Sequence, residues 1–303
     1  MSHTPALPIN AQHVIQQFNR RAPLDNAQFF YGEITQRMLA RLSYIRIEAQ
    51  HVLDAGCGAG HGIDPLRSRY PNMDYTGVDH SPALLRFAHE RYAKKPSLWE
   101  RLRNQPRQPV TFVEADMADT GLEPESQDLI WSNMALHWHP EPQRVFNEWR
   151  RLLRTNGMIL FSTLGPGSFS ELRQAIVAAS SQTQTLSFVD MHDYGDQLLQ
   201  NGFTDPVMDQ ETLTLTYKTA EQLLDEVSVL GGNAHTQRRS GLTTKAWRNR
   251  LLEALNAQRH MDGTLHLTLE VAYGHAWRAT MTRNQHTGEV SIPISSIKRK
   301  PSP

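Results

Sequence analysis

One nine-residue turn constrains this chain more than any other feature. The segment VLDAGCGAG joins a short apolar run to a helical pattern through Gly56, Gly58 and Gly60. Glycine adopts backbone conformations closed to other residues and lets a ligand approach without an intervening Cβ. A strand, a glycine turn and a helix in this order are typical of a parallel, doubly wound sheet, in which ligands bind outside the carboxyl ends of the strands.

The pattern after this turn supports the same fold class. Short apolar runs alternate with helical spacing, which predicts strands at 51–55, 74–79, 110–114, 128–133 and 158–163. Helices are predicted at 12–19, 28–45, 63–70, 82–94, 142–154, 168–179 and 192–201. Alternating residues near 213–217 and 265–273 predict two final strands. We therefore expect an α/β, Rossmann-like sheet of seven strands, doubly wound by helices.

Composition excludes several function classes. The 303 residues contain 31 Lys+Arg and 31 Asp+Glu, so the formal charge is zero, which argues against a nucleic-acid or anionic-membrane binder. No apolar run approaches the length of a membrane span, and the first residues lack a signal-peptide core. Cys57 is the one cysteine, so neither an internal disulfide nor a cysteine metal cluster can form. A cytoplasmic location is the simplest expectation.

Glycine spacing indicates the cofactor. In a dinucleotide-binding turn the third glycine follows the second by three positions, but His61 stands there and Gly60 comes one position earlier. This spacing favours S-adenosylmethionine over NAD. Cys57 lies inside the turn, where it is either a reactive thiol or a small residue tolerated beside glycines; we favour the second interpretation.

Acidic residues at successive strand ends strengthen this interpretation. Asp54 lies on the first strand, and Asp79, followed by His80, ends the second, where a carboxylate can accept hydrogen bonds from both ribose hydroxyls. Asp116 follows the third strand and can accept from the adenine amino group, with Met117 packing on the ring. Either acid alone would be an ordinary turn carboxylate; together with Asp54 they predict a cofactor site.

The segment after the fourth strand is the candidate substrate side. Asn133 and His137 are predicted to orient the substrate, with Asn133 also near the cofactor, and Trp138 to wall the pocket. The alternative is that Trp138 belongs to the core and His137 is a capped loop residue. His137 and His139 are poor evidence for a metal pair, since no cysteine or acid flanks them, so no metal is expected.

Arginines are candidates for binding an anion. Arg20 and Arg21, at the end of the N-terminal helix, are placed to hold a carboxylate of the cofactor or substrate. Arg238 and Arg239, in the segment between the last two strands, are a second candidate pair.

The predicted elements divide the chain into five parts. Residues 1–46 are predicted to be N-terminal helices covering the cofactor, with 1–11 a loose arm. Residues 47–218 form the S-adenosylmethionine-binding core, 219–262 a helical lid insertion, and 263–282 the last core strand. Residues 283–303 are expected to be a disordered basic tail, and residues 94–109 a polar excursion.

From about Asn10 to Trp277 the chain resembles the malonyl-acyl carrier protein O-methyltransferases of biotin synthesis. The resemblance rests on VLDAGCGAG, WSNMALHW, FSTLGPGSFSELR, DYGDQLLQNGFTDPVMD, LTLTY and VLGGN with GLT. The first motif is shared by a whole superfamily, and the later ones are more selective. The resemblance implies methyl transfer from S-adenosylmethionine to the malonyl carboxylate, with malonyl-acyl carrier protein as substrate and partner.

The chain departs from the family at the substrate side. Leu24 and Asp25 stand where the family has a tyrosine, although Tyr31 is close in sequence, and a glutamine expected near Phe30 is also absent. Arg144 is the arginine offered for the malonyl carboxylate. Two alternatives therefore stay open. One is a methyltransferase for another small acid or a protein side chain. The other is a cofactor-binding assembly factor or hydroxylase, because the C-terminal half also resembles a mitochondrial complex I assembly factor associated with arginine hydroxylation.

Overall fold

A seven-stranded sheet is the centre of the molecule, with strand order β3-β2-β1-β4-β5-β7-β6. This computed structural model describes residues 6–92, 109–179, 183–238 and 244–278. The strands are β1 His51–Ala55, β2 Asp74–Asp79, β3 Val110–Glu114, β4 Gln127–Ser132, β5 Leu153–Leu164, β6 Phe203–Tyr217 and β7 Leu265–Arg278. The first five pair in parallel and β7 pairs antiparallel with both β5 and β6. The predicted Rossmann-like sheet is confirmed.

Helices cover both faces of this sheet. In the described ranges they are α1 Ala11–Arg21, α2 Gln28–Leu42, α3 Ile63–Arg69, α4 Pro82–Tyr92, α5 Pro142–Leu152, α6 Ser170–Ala178, α7 Met191–Gln200, α8 Ala220–Leu230 and α9 Lys245–Asn256. Apolar side chains spaced three and four apart explain their packing; in α5, for example, Val145, Phe146 and Trp149 are fully buried. Ser81 caps α4, since its hydroxyl accepts from the Leu84 N–H at 3.3 Å.

Two predicted boundaries were wrong for a clear physical reason. The helix from Pro142 ends at Leu152 rather than 154, because the chain passes directly into β5 at Leu153. Strand β6 begins at Phe203, well before the predicted 213. It is an edge strand, and its first half alternates buried or half-buried residues with exposed ones, among them Asp205, Val207 and Asp209. The predicted excursion at 94–109, except Pro109, lies outside the described residues, as do Arg239 and the tail at 283–303.

The described residues before α1, 6–10, do not form the loose arm that was predicted. The Leu7 N–H donates to Pro140 O at 2.7 Å, and the Asn10 N–H donates to Ala234 O at 2.9 Å. Thr236 N–H donates back to Pro8 O at 2.9 Å. This pairing joins residues distant in sequence, so no local pattern announces it. We call residues 7–10 the strap.

Helices α8 and α9 lie between β6 and β7 in the sequence, within the predicted lid insertion at 219–262. Thr219 and Thr244 cap these helices by accepting backbone N–H groups three positions on. The five-part division of the chain stays a prediction. None of the helices in the described ranges is long and apolar enough to cross a membrane.

Candidate cofactor and substrate site

A cavity opens at the carboxyl ends of β1, β2, β3 and β4. About 1020 Å³ of space free of protein atoms lies within the cavity and its open mouth. Nine of the predicted site residues line it: Asp54, Gly56, Gly58, Asp79, His80, Asp116, Met117, Asn133 and Trp138. Five others do not: Gly60, His137, Arg20, Arg21 and Arg144. The sequence therefore predicted the lining residues at the strand ends better than those on the opposite wall of the cavity.

The glycine turn forms the floor of the cavity. Gly56 and Gly58 adopt φ values of +82° and +56°, in the left-handed region that side chains disfavour. A Cβ on Gly56 would overlap the Cβ of Ala135, which belongs to the segment after β4. The N–H groups of Gly56 and Cys57 both donate to Val78 O, at 2.8 and 3.0 Å, which fixes the turn against β2.

Gly60 and Cys57 support the turn from behind. A Cβ on Gly60 would come within 3.1 Å of the Tyr92 ring, so this glycine allows α4 to pack closely against the turn. The Cys57 side chain is buried, and burial raises the pKa of its thiol well above the ordinary value. A thiol held in its neutral form is a poor nucleophile, which agrees with the packing interpretation.

Asp79 joins the turn to the start of α4. Its Oδ2 accepts the Gly58 N–H at 2.9 Å and its Oδ1 accepts the Ser81 N–H at 2.8 Å. The residue is only 9% exposed, and burial raises the pKa of its carboxyl. Each carboxylate oxygen has room for a second hydrogen bond, so a ligand diol can bind on the cavity side.

Asp54 is a second buried carboxyl at the cavity. The Tyr75 hydroxyl donates to its Oδ2 at 2.7 Å, and a Cβ on Gly62 would lie 2.6 Å from the same oxygen. Burial raises the pKa of Asp54 to about 7, although the Tyr75 hydrogen bond opposes the shift. The group therefore titrates near neutrality and favours a positively charged ligand.

Asp116 lies at the mouth of the cavity. Its Oδ1 accepts the Ala118 N–H at 2.8 Å and contacts His139 Nε2 at 3.1 Å. The hydrogen bond with His139 is the main reason that the pKa of Asp116 falls to about 2. Met117, which follows it, is 9% exposed and contributes an apolar wall.

Asn133 braces the cavity wall with its whole side-chain amide. Its Nδ2 donates to Tyr31 O and to the Thr35 hydroxyl, both at 2.9 Å. Its Oδ1 accepts the Ser162 hydroxyl at 3.0 Å. Asn133 therefore links β4 to α2 and holds the helix against the cavity, while its predicted contact with cofactor or substrate stays a prediction.

The placement of His137 does not fit the catalytic role predicted for it. The imidazole is 4% exposed, and its Nδ1 lies 3.4 Å from the Leu164 N–H. Burial alone lowers the pKa of His137 to about 3, so the ring is neutral at physiological pH. The short 3₁₀ turn Leu136–Trp138 directs Trp138 and His139 to the cavity and His137 toward Phe188 instead.

The predicted arginines lie outside the cavity in three different settings. Arg20 is exposed at the end of α1, and Arg144 is exposed on α5 and pairs with Glu141 at 2.9 Å, so Arg144 does not suit the substrate role predicted for it. Arg21 is half-buried over the Phe18 ring, 4.4 Å from the centroid, and donates through Nη1 to Val229 O at 2.7 Å. Its Nη2 is buried without a partner in the described part of the chain.

Several lining residues escaped the sequence prediction. Gln28, Tyr31 and Thr35 line the cavity from one face of α2, and Phe18 does so from α1. Their spacing of three and four residues was the available signal, but the pattern alone does not say whether such a face meets a core or a ligand. Tyr31 also donates from its hydroxyl to Leu230 O at 3.1 Å, which ties α2 to the end of α8.

The comparisons with known proteins decide the family. A family model described as a methyltransferase domain matches residues 53–161. A malonyl-[acyl-carrier protein] O-methyltransferase of Gallionella capsiferriformans is 39% identical over 96% of this chain and 98% of its own length. One of Nitrosospira multiformis is 38% identical over 89% of this chain and 90% of its own length. This chain belongs to the malonyl-[acyl-carrier protein] O-methyltransferase family.

Membership in this family confirms the resemblance seen in the sequence. The identity covers 96% of this chain, so it extends well beyond residues 53–161 and includes α8, α9 and β7. The Haemonchus contortus phosphoethanolamine N-methyltransferase 2, solved with phosphomonomethylethanolamine and S-adenosylhomocysteine, has a TM-score of 0.51 and 19% identity. It covers 86% of this chain, which covers 60% of it, and this likeness bears on the fold alone.

Proposed function

We propose that this protein transfers the methyl group of S-adenosylmethionine to the free carboxylate of a malonyl thioester on acyl carrier protein. The observation that carries the proposal is the identity of 38–39% to malonyl-[acyl-carrier protein] O-methyltransferases over nearly the whole chain. The reaction belongs to biotin synthesis in the cytoplasm, where the ester disguises the malonyl group for fatty-acid elongation.

The cavity fits the proposed cofactor residue by residue. The cradle at Gly56 and Gly58 leaves room that a Cβ or a strained backbone would remove. Asp79 would accept hydrogen bonds from the ribose hydroxyls, and Asp116 with Met117 would hold the adenine. When bound, the sulfonium supplies a methyl group that is already activated for transfer.

The residues of this chain then have little proton chemistry to perform. A malonyl carboxylate is ionised near neutral pH, so it needs no general base. The buried, neutral His137 agrees with this requirement. The rate acceleration would come from aligning the two reactants, which can lower the activation barrier by about 7–11 kcal/mol. Helices α1 and α2 and the strap contact residues 229–236. This enclosure would exclude water from the positively charged sulfonium and the negatively charged malonyl carboxylate.

Asp54 makes cofactor affinity depend on pH. Its pKa of about 7 means that the carboxyl is protonated below that pH and ionised above it. Because the cofactor is positively charged, its binding favours the ionised form, and we expect affinity to rise about tenfold from pH 6 to pH 8. Calorimetric titration across this range measures the effect. The Asp54→Asn variant should flatten the slope; a wild-type affinity that falls with rising pH would contradict the assignment.

The same shift affects folding in the opposite direction. In the ligand-free protein the folded-state pKa of Asp54 is raised above its ordinary value of 3.8, to about 7. The protonated Asp54 carboxyl therefore contributes fully to the free energy of unfolding below the unfolded-state pKa of 3.8. This contribution is lost as the pH rises through the folded-state pKa of about 7. The measurement is the urea midpoint of unfolding of the cofactor-free wild type and of Asp54→Asn, each at pH 5 and at pH 8. From pH 5 to pH 8 the midpoint of the wild type should fall relative to that of Asp54→Asn.

Arg21 does not line the cavity, but it is the predicted arginine whose guanidinium contacts side chains that do. It packs on Phe18 and interacts with Tyr31, and its Nη2 is buried without a geometric hydrogen-bond partner in the described residues. We expect Arg21→Gln to raise the KM for malonyl-acyl carrier protein about tenfold, because a hydrogen bond between charged groups is lost. Steady-state kinetics measure it. Arg20→Gln removes a neighbouring exposed charge and should change KM little; an equal effect of both variants would refute a specific role for Arg21.

Methyl transfer itself tests the proposed function. The protein is incubated with methyl-labelled S-adenosylmethionine and either malonyl- or acetyl-acyl carrier protein, which lacks the free carboxylate. The proposal expects alkali-labile label on the malonyl protein alone. Transfer to another small acid or to a protein side chain would support the first alternative. Cofactor binding with no transfer to any acceptor would support the assembly-factor or hydroxylase alternative.

A further inference from the structure

The imidazole of His139 is a part of the cavity wall that the proposed reaction does not use. His139 is 8% exposed and lies between the 3₁₀ turn Leu136–Trp138 and helix α5. Together with Asp116 it forms a pair that lines the cavity next to Met117. No group of His, Cys, Asp and Glu in the described ranges is arranged to hold a metal ion.

Local hydrogen bonding fixes which ring nitrogen carries the proton. The Glu141 N–H donates to His139 Nδ1 at 3.0 Å. A ring nitrogen that accepts a hydrogen bond has no hydrogen of its own, so in the neutral ring the proton lies on Nε2. Nε2 is 3.1 Å from Asp116 Oδ1 and donates to it. The ring therefore connects the backbone of the α5 entrance to the carboxylate at the end of β3.

This contact orients Asp116 as well as keeping it ionised. Oδ1 receives hydrogen bonds from both His139 and the Ala118 N–H, at 3.1 and 2.8 Å, which fills its two lone pairs. Oδ2 has no hydrogen-bond partner within the described ranges and remains free for a ligand. An ionised carboxylate only accepts, so it attracts an amino group and repels a carbonyl oxygen at the same place.

We propose that His139 is a positioning residue that holds Asp116 to read the exocyclic amino group of the cofactor's purine. It thereby sets the preference for adenine over a 6-oxo purine. The inference rests on the proposed function, because it requires an adenosyl cofactor in this cavity. It assigns His139 no contact with the methyl group or the acceptor.

The test compares two ligands that differ at one purine position. Binding of S-adenosylhomocysteine and of S-inosylhomocysteine, in which oxygen replaces the amino group, is measured by calorimetry. We expect the wild type to prefer the adenosyl ligand about 100-fold, since sites that bind a polar group reject analogues that lack it. His139→Asn keeps an acceptor for the Glu141 N–H but is too short to reach Asp116. It should reduce the preference about tenfold.

Two further variants separate positioning from a structural effect. His139→Gln can place an amide N–H near the Nε2 position and should restore part of the preference, even if His139→Asn folds poorly. In an Asp116→Ala background, His139→Asn should change the ratio no further, because both variants act through one contact. The control is His192→Asn, which breaks another His–Asp pair, 2.7 Å long and exposed, and should leave the ratio unchanged.

The outcomes distinguish this inference from the proposed function. If His139→Asn and His139→Gln weaken both ligands equally and keep the wild-type ratio, His139 is only structural and the inference is overturned. A change of ratio that persists in the Asp116→Ala background would overturn it as well. If the folded wild type binds neither ligand, the proposed function fails, and the inference fails with it.

Discussion

Replacing Asp79 by Ala should weaken S-adenosylhomocysteine binding by about 100- to 1000-fold. The carboxylate would accept two ribose hydroxyls, and each hydrogen bond to a charged group contributes about 1.5–3 kcal/mol. The variant also leaves the Gly58 and Ser81 N–H groups without their acceptor, which loosens the turn that carries the cofactor. Calorimetry measures the affinity. Binding of malonyl-acyl carrier protein should change less than about threefold, because Asp79 lies on the cofactor side of the cavity.

A control for this experiment lies on the same strand. Asp74 begins β2, at the opposite edge of the sheet, and its half-exposed carboxylate contacts His51 at 3.6 Å. Asp74→Ala removes one acid from β2 without touching the cavity, so cofactor affinity should remain within about twofold of the wild type. Equal loss of cofactor and carrier-protein binding in Asp79→Ala would contradict the ribose role and indicate general damage to the site.

Gly56→Ala should destabilise the fold by about 2–5 kcal/mol and abolish cofactor binding. An L-residue at a left-handed φ costs about 1–2 kcal/mol, and the new Cβ also overlaps that of Ala135, which adds the cost of overpacking, about 1–3 kcal/mol. The turn can relieve the overlap only by moving relative to the segment after β4, which displaces backbone that lines the cavity. Urea unfolding measures the stability, and titration with S-adenosylhomocysteine measures the binding.

Gly121→Ala separates the two contributions. Gly121 has φ +67°, near the value of Gly56, but nothing lies within 4 Å of its Cβ position. It should lose only about 1–2 kcal/mol and bind the cofactor normally. If Gly56→Ala proved no more harmful than Gly121→Ala, the close approach of the turn to Ala135 would have no functional meaning.

The strand-end part of the site could be predicted because local signals determine it. Each short apolar run predicts a strand, and in a parallel sheet the residues that follow such strands meet at one edge. The sequence therefore predicts that Asp54, Asp79 and Asp116 lie together at the edge that also carries the glycine turn. The structure places all three acids around one cavity.

The remaining part depends on contacts that have no local signature. His137, Trp138 and His139 are consecutive, and only the dihedral angles of a 3₁₀ turn decide that the last two face the cavity and the first faces away. The strap pairs with residues 234–236, more than two hundred positions later in the chain. Helical spacing indicates the face formed by Gln28, Tyr31 and Thr35, but no local signal predicts that α2 packs beside β5 and the segment after β4.

Calorimetric titration of the folded protein with S-adenosylmethionine tests the central claim most directly, namely that the cavity at the ends of β1, β2 and β3 binds this cofactor. We predict one site per chain with a micromolar dissociation constant, on the order of the substrate concentrations at which enzymes operate. S-adenosylhomocysteine should compete for the same site. Absence of any heat of binding for both compounds at millimolar concentration, with folding verified by circular dichroism, would contradict the account.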